Sequence, residues 1–186
     1  FMVEIMGHGA GWLTLNAGMA GGADIILIPE IPYDIDVIAD AINRRKAAGK
    51  RFTIIAVAEG AISKKDAKLS KKELKAKQAE KKYPSVAYEL AERVQKKTDQ
   101  EVRITVPGHT QRGGSPCPYD RVLATRLGAA AAEAILDGKY GCMMGVSNDK
   151  IIHVPLSEVA GKLKYVDPDS EIIQEAKLTG ISFGDK

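Results

Sequence analysis

The chain has 186 residues, enough for one domain with a sizeable core or one domain plus part of another. Its 45% hydrophobic share and near-neutral mean hydropathy describe a globular chain and exclude a disordered one, and no apolar run reaches membrane-span length. The net charge of +3 arises locally: Lys64 to Lys82 holds nine lysines against Asp66, Glu73 and Glu80, an excess of six that leaves the rest at −3. This distribution argues against a nucleic-acid partner and predicts a solvated helical insertion over about 64–82.

Phe1 to Met6 is an apolar strand without a basic lead, which predicts a strand already under way rather than a signal peptide. It runs into Gly7-His8-Gly9-Ala10-Gly11, and a helix of small residues follows from Trp12 to Ala20. Ile25 to Ile28 is a second strand, unbroken in its apolar character, as suits a parallel sheet covered on both faces. The spacing of Ile35, Ile38 and Ile42 predicts a helix from Asp34, its N-cap, to Ala48, with Arg44, Arg45 and Lys46 at its C-terminal end and Gly49 as its stop.

Phe52 to Ala58 is a third buried strand that ends in Glu59-Gly60. After the lysine-rich stretch, a helix is expected over Ser85 to Lys97 and a strand over Val102 to Val106. Pro107 to Pro116 is too dense in Gly and Pro for regular structure. An Ala- and Leu-rich helix then spans Asp120 to Leu136. Two short strands, Cys142 to Val146 and Ile151 to Val154, meet at the turn pair Asn148-Asp149. Strands alternating with helices predict an α/β fold with a mostly parallel sheet. Cys117 and Cys142, the only cysteines, have no metal-like spacing and fit a reduced intracellular protein.

Ligands of open α/β sheets gather beyond the carboxyl ends of the strands. Met6-Gly7-His8 offers a backbone that a ligand can approach closely, just ahead of a helix. Glu59 is a carboxylate able to accept from sugar hydroxyls. Arg103, His109 and Arg112 suit a phosphate monoester, because guanidinium groups are permanently charged bidentate donors. All of these are expected at one edge of the sheet.

Val3-Glu4-Ile5-Met6-Gly7 with Ala10-Gly11-Trp12-Leu13-Thr14-Leu15 resembles the fructose 6-phosphate-binding strand and helix of 6-phosphofructokinases. Ala20-Gly21-Gly22-Ala23-Asp24, Ile28-Pro29-Glu30 and Val57-Ala58-Glu59-Gly60 extend the likeness. Its most specific stretch is Gly108-His109-Thr110-Gln111-Arg112-Gly113-Gly114-Ser115-Pro116 with Tyr119-Asp120-Arg121. The resemblance implies the C-terminal portion of that family's parallel-sheet, three-layer fold. In look, the insertion and ending are nearest the bacterial group that includes pyrophosphate-using members.

By this resemblance Met6 and Gly7 place backbone against the sugar and Glu59 binds fructose hydroxyls. His109 and Arg112 hold the sugar phosphate, and Arg103 reaches it from a neighbouring subunit of a homo-oligomer. His8 stands where many members carry an arginine that steadies the transferring phosphoryl group; histidine is shorter and largely neutral at pH 7. Asp24 and Lys50 match an effector site of the short allosteric enzymes, with Ala48 where a second lysine is usual. The family's glycine-rich donor loop and Thr-x-Asp-Asn-Asp loop do not occur in these residues.

The resemblance therefore implies a phosphotransferase of the cytoplasm that uses Mg²⁺ with ATP or pyrophosphate when full-length, while this chain alone binds no cofactor or metal and is inactive. It assigns residues 1–110 to a sugar-phosphate domain, 111–156 to a segment completing the larger donor-binding domain, and 157–186 to a returning tail. An unpartnered apolar face is expected along the Ala-rich helix. The alternatives are a stand-alone sugar-phosphate-binding or regulatory module, a partner of a catalytic subunit, or a scaffold docking acidic partners through Lys64 to Lys82.

Overall fold

A computed structural model describes residues 1–80 and 82–186; Lys81, within the expected insertion, lies outside the described residues. Contacts divide the chain into two compact units: Phe1–Gln111 with Tyr165–Lys186, and Arg112–Lys164.

The first unit is built on a parallel sheet of β1 (Met2–Ile5), β2 (Ile25–Leu27), β3 (Ile55–Ala58) and β4 (Ile104–Thr105), in the order β2-β3-β1-β4. Parallel neighbours need crossovers, and α1 (Trp12–Ala20), α2 (Ile35–Ala47) and α4 (Val86–Thr98) supply them. Side chains alternate across the sheet, so Met2, Ile25, Leu27, Ile55 and Val57 meet Ile38, Leu90 and Val94 of α2 and α4 on one face. On the other face Ile5, Ile26 and Ala56 pack with Leu15 of α1 and with Ile173 and Ala176 of α7 (Glu171–Leu178). Helices, sheet and helices make the three layers, and coverage on both faces explains the unbroken apolar strands.

The C-terminal tail is an integral part of this unit. Ile26 N–H donates to Ser182 O at 2.9 Å and Ser182 N–H to Asp24 O at 3.1 Å, so the tail adds a parallel bridge beside β2. Val166, Ile173 and Phe183 are fully buried. Local signals were clearest at α2, where the Asp34 carboxylate accepts from Asp36 N–H at 3.0 Å and Gly49 takes a positive φ of +76°. In the lysine-rich stretch a short 3-10 turn, Asp66–Lys68, precedes α3 (Lys71–Ala79), which Ser70 and Glu73 close with a reciprocal capping box.

The second unit contains α5 (Pro118–Leu136), the antiparallel hairpin of β5 (Cys142–Ser147) and β6 (Lys150–Pro155), and the single-turn α6 (Leu156–Val159). The hairpin turn is the Asn148-Asp149 pair, at φ +49° and +59°, a conformation these two residue types tolerate best after glycine. Among the described residues of this unit, Ala134 is the only buried side chain. Tyr119, Val122, Ile135 and Leu136 of α5 are exposed. No described helix is long and apolar enough to cross a membrane.

Candidate functional site

The parallel register pairs Ile5 with Ala58, so the chain leaves β1 and β3 side by side at their carboxyl ends. The next residues on each strand, Met6 and Glu59, are therefore neighbours by construction. Glu59 N–H continues the ladder by donating to Ile5 O at 3.0 Å. Its carboxylate Oε1 then accepts from Gly7 N–H at 3.2 Å and His8 N–H at 2.6 Å. Such charge-assisted bonds are stronger than neutral ones.

The clamp has a steric counterpart. Ala10 N–H donates to Gly7 O at 3.1 Å, closing a turn in which His8 holds a left-handed φ of +54°. That conformation is uncommon for a residue with a Cβ, and two hydrogen-bonded amides beside it hold it in place. A Cβ on Gly60 would stand 2.5 Å from His8 O and 3.1 Å from Pro29 Cγ, so the turn can sit this close only over a glycine. One Glu59 oxygen is thus committed to the backbone. The other takes no hydrogen bond from the described residues, and the side chain is exposed.

A third segment joins this edge. The Gly- and Pro-rich loop, expected to be irregular, forms a 3-10 turn over Gly108–Arg112. Short i-to-i+3 bonds, such as Thr110 N–H to Pro107 O at 3.2 Å, let so glycine-rich a segment close on itself. Gln111 Oε1 accepts from Met6 N–H at 3.2 Å and its Nε2 donates to Gly108 O at 3.3 Å. The turn is thereby tied to the end of β1. His109, exposed, belongs to the same turn.

Gly7, His8 and Glu59 therefore form one hydrogen-bonded cluster, and Met6, next to it in the chain, is where Gln111 fastens the His109 turn. Arg112 is exposed and falls in the second unit. Arg103 corrects the expectation of a single edge. It immediately precedes β4, and its carbonyl accepts from Met2 N–H at 2.8 Å, which sets it at the amino ends of the strands. Among the described residues its guanidinium pairs locally, with Glu101 at 3.0 Å. The physical reason is strand direction: a residue before a strand and one after it stand at opposite edges of a parallel sheet.

Asp24 and Lys50 are also at the amino edge. Asp24 Oδ2 accepts from Ile54 N–H at 2.8 Å and Oδ1 pairs with Arg45 at 2.8 Å, so both oxygens are used within the fold. Lys50 lines an open cavity of about 450 Å³ with Lys46, Arg51 and Arg103.

Two contributors were not singled out from the sequence. Gln111 lay within a quoted motif but gave no sign of reaching Met6. Glu30 Oε1 accepts from Gly11 N–H and from Val166 N–H, each at 2.9 Å, joining the start of α1 to the returning tail. A Cβ on Gly11 would fall 2.5 Å from Ile28 Cβ, so glycine is needed for that approach. Among the described residues no group of three or more His, Cys, Asp or Glu is gathered as a metal site.

Comparison with known proteins gives a consistent result. The family model described as Phosphofructokinase matches residues 1–135. The chain is 50% identical over 184 residues to an ATP-dependent 6-phosphofructokinase of Spirochaeta thermophila, covering 99% of this chain and 50% of that protein. It is 44% identical over 201 residues to one from Propionibacterium freudenreichii, covering 99% and 54%. The Saccharomyces cerevisiae phosphofructokinase structure superposes with a TM-score of 0.71 at 35% identity, over 86% of this chain and 20% of that one. A pyrophosphate-dependent phosphofructokinase from Marinobacter aquaeolei, 23% identical, shares the fold with a TM-score of 0.73, over 98% and 47%. The chain spans about half the length of the curated relatives it matches.

Proposed function

The chain belongs to the phosphofructokinase family, and from that premise we propose that it is the acceptor-binding part of a 6-phosphofructokinase, which transfers a phosphoryl group to the 1-hydroxyl of fructose 6-phosphate. The observation that carries this reading is the Glu59 clamp: one carboxylate oxygen fixes the Gly7-His8 turn while the other is left for a ligand hydroxyl. Met6 and Gly7 present backbone to the sugar. His109 and Arg112 take its phosphate, with Arg103 supplied by a neighbouring subunit of a homo-oligomer. An Arg103 at the amino edge of its own sheet agrees with that last assignment, since it stands away from its own chain's Glu59.

Residues 1–110 are assigned to the sugar-phosphate domain, 111–156 to a segment that completes the donor-binding domain, and 157–186 to the return. The names of the relatives at 44–50% identity favour ATP as donor. Mg²⁺ supplies charge neutralisation at the donor oxygens in this chemistry. Because the donor loop and the aspartate-rich loop are absent from these 186 residues, the chain alone is assigned binding without turnover. A protein active in the cytoplasm is the matching setting.

Calorimetric titration checks the assignment. Fructose 6-phosphate should bind the chain, and Glu59→Ala should weaken that binding by roughly ten- to a hundredfold, the range for losing a charged hydrogen-bond acceptor. Equal affinity in the variant, or binding of inorganic phosphate alone with no contribution from the sugar, would remove Glu59 from the site.

A further inference from the structure

Three consecutive amides follow β1, and each donates to a side chain from a neighbouring segment. Gly7 N–H and His8 N–H donate to Glu59, which follows β3. Met6 N–H donates to Gln111, which lies beyond β4. The sheet's own ladder explains why a side chain is needed there. Met2 N–H opens the β1–β4 ladder on Arg103 O, and the two-residue period of the strand returns Met6 N–H to the same side. Two periods beyond Arg103 the carbonyl in step with Met6 N–H is that of Pro107. But β4 ends at Thr105, and Pro107 O accepts from Thr110 N–H at 3.2 Å instead. The turn that carries His109 thus takes the ladder's next acceptor, and Gln111 of the same turn supplies the replacement.

Glutamine suits this place for a chemical reason. Met6 N–H can only donate and Gly108 O can only accept, and the half-buried Gln111 meets both, through Oε1 at 3.2 Å and Nε2 at 3.3 Å. One planar amide therefore closes the turn on itself and fastens it to the end of β1. Asparagine would carry the same groups one methylene nearer the backbone, and an ionised glutamate has no donor for Gly108 O. The amides held by Gln111 and by Glu59, those of Met6 and Gly7, are adjacent in the chain. The His109 turn is thus set against the Glu59 carboxylate with no slack segment between them.

We propose that Gln111 is a positioning residue that fixes the separation between the hydroxyl acceptor Glu59 and the phosphate-binding His109, and so favours a ligand that reaches both. This role rests on the acceptor-site reading given above. Calorimetric titrations of fructose 6-phosphate and of inorganic phosphate into the chain test it. Gln111→Ala should weaken fructose 6-phosphate binding by roughly tenfold. Inorganic phosphate, which needs only the His109 end, should keep its affinity. Gln111→Met, which preserves the side-chain length without either hydrogen bond, should give the same split. His109→Ala should also weaken fructose 6-phosphate binding, and adding Gln111→Ala to it should cost clearly less than in the parent, because Gln111 acts through the His109 turn. An equal loss for both ligands in the two Gln111 variants would reduce Gln111 to a brace of the fold and overturn the role. Unchanged fructose 6-phosphate affinity in those variants, or full additivity with His109→Ala, would overturn it as well. Unchanged fructose 6-phosphate affinity in His109→Ala itself would strike the phosphate assignment, and this role with it, an outcome separable from failure at Gln111 alone.

Discussion

The two units of this chain solve the problem of burial very differently. The first closes a parallel sheet between two helical layers and buries whole side chains in long runs, Ile25 to Ile28 and Ile55 to Ala58 among them. The second has a 19-residue helix and a six-residue-per-strand hairpin, yet among its described residues only Ala134 is buried. Both are regular in secondary structure. Hydrogen-bonded regularity is therefore a poor guide to where stability resides, since tertiary packing of an apolar face supplies most of it.

The sharpest way to break this contrast is a pair of deletions. Phe183→Ala empties a fully buried position that holds the tail against the sheet and should cost about 3–5 kcal/mol in denaturant unfolding. Leu136→Ala, at a position 86% exposed, should stay within about 0.5 kcal/mol. Similar values for the two would mean that the second unit is packed as tightly as the first.

Alkaline titration gives a somewhat smaller effect confined to the first unit. Burial pushes the Tyr33 hydroxyl up to about 12. The unfolded chain ionises this group first, so stability is fully present below about pH 10 and falls as pH rises toward 12, by a few kcal/mol at most. Tyr33→Phe should abolish that component, and an unchanged alkaline limb in the variant would contradict the burial.

The ion pairs offer the mildest comparison. Asp24 joins Arg45 and the Ile54 amide between two elements of the first unit, and Asp24→Ala should cost about 1–3 kcal/mol. Arg126 and Asp149 pair in the second unit with Asp149 90% exposed, and Arg126→Ala should cost no more than about 1 kcal/mol. Thermal melts of the two variants read the difference directly.

Much of this was legible in residues whose signal is local. Asp34 and Gly49 bounded α2, Asn148-Asp149 marked its hairpin, and the apolar runs announced a two-sided sheet. The likeness carried by Gly108 to Pro116 led to the family. What stayed hidden depends on partners distant in sequence. Phe183 and Ser182 look like an ordinary ending until they meet β2, and Glu30 gives no sign of bridging Gly11 to Val166. Arg103 misled because six residues along the chain separate it from His109, while the intervening strand carries the two toward opposite edges. His8 and Gln111 likewise acquire their roles only from the register that sets β1 beside β3 and β4.

The most direct measurement is a fructose 6-phosphate titration followed at the backbone amides of Gly7, His8 and Glu59. Saturable shifts at these three, reduced in Glu59→Ala, are the predicted result for an acceptor site built on the Glu59 clamp. Binding that shifts other amides while leaving these three unmoved would contradict it.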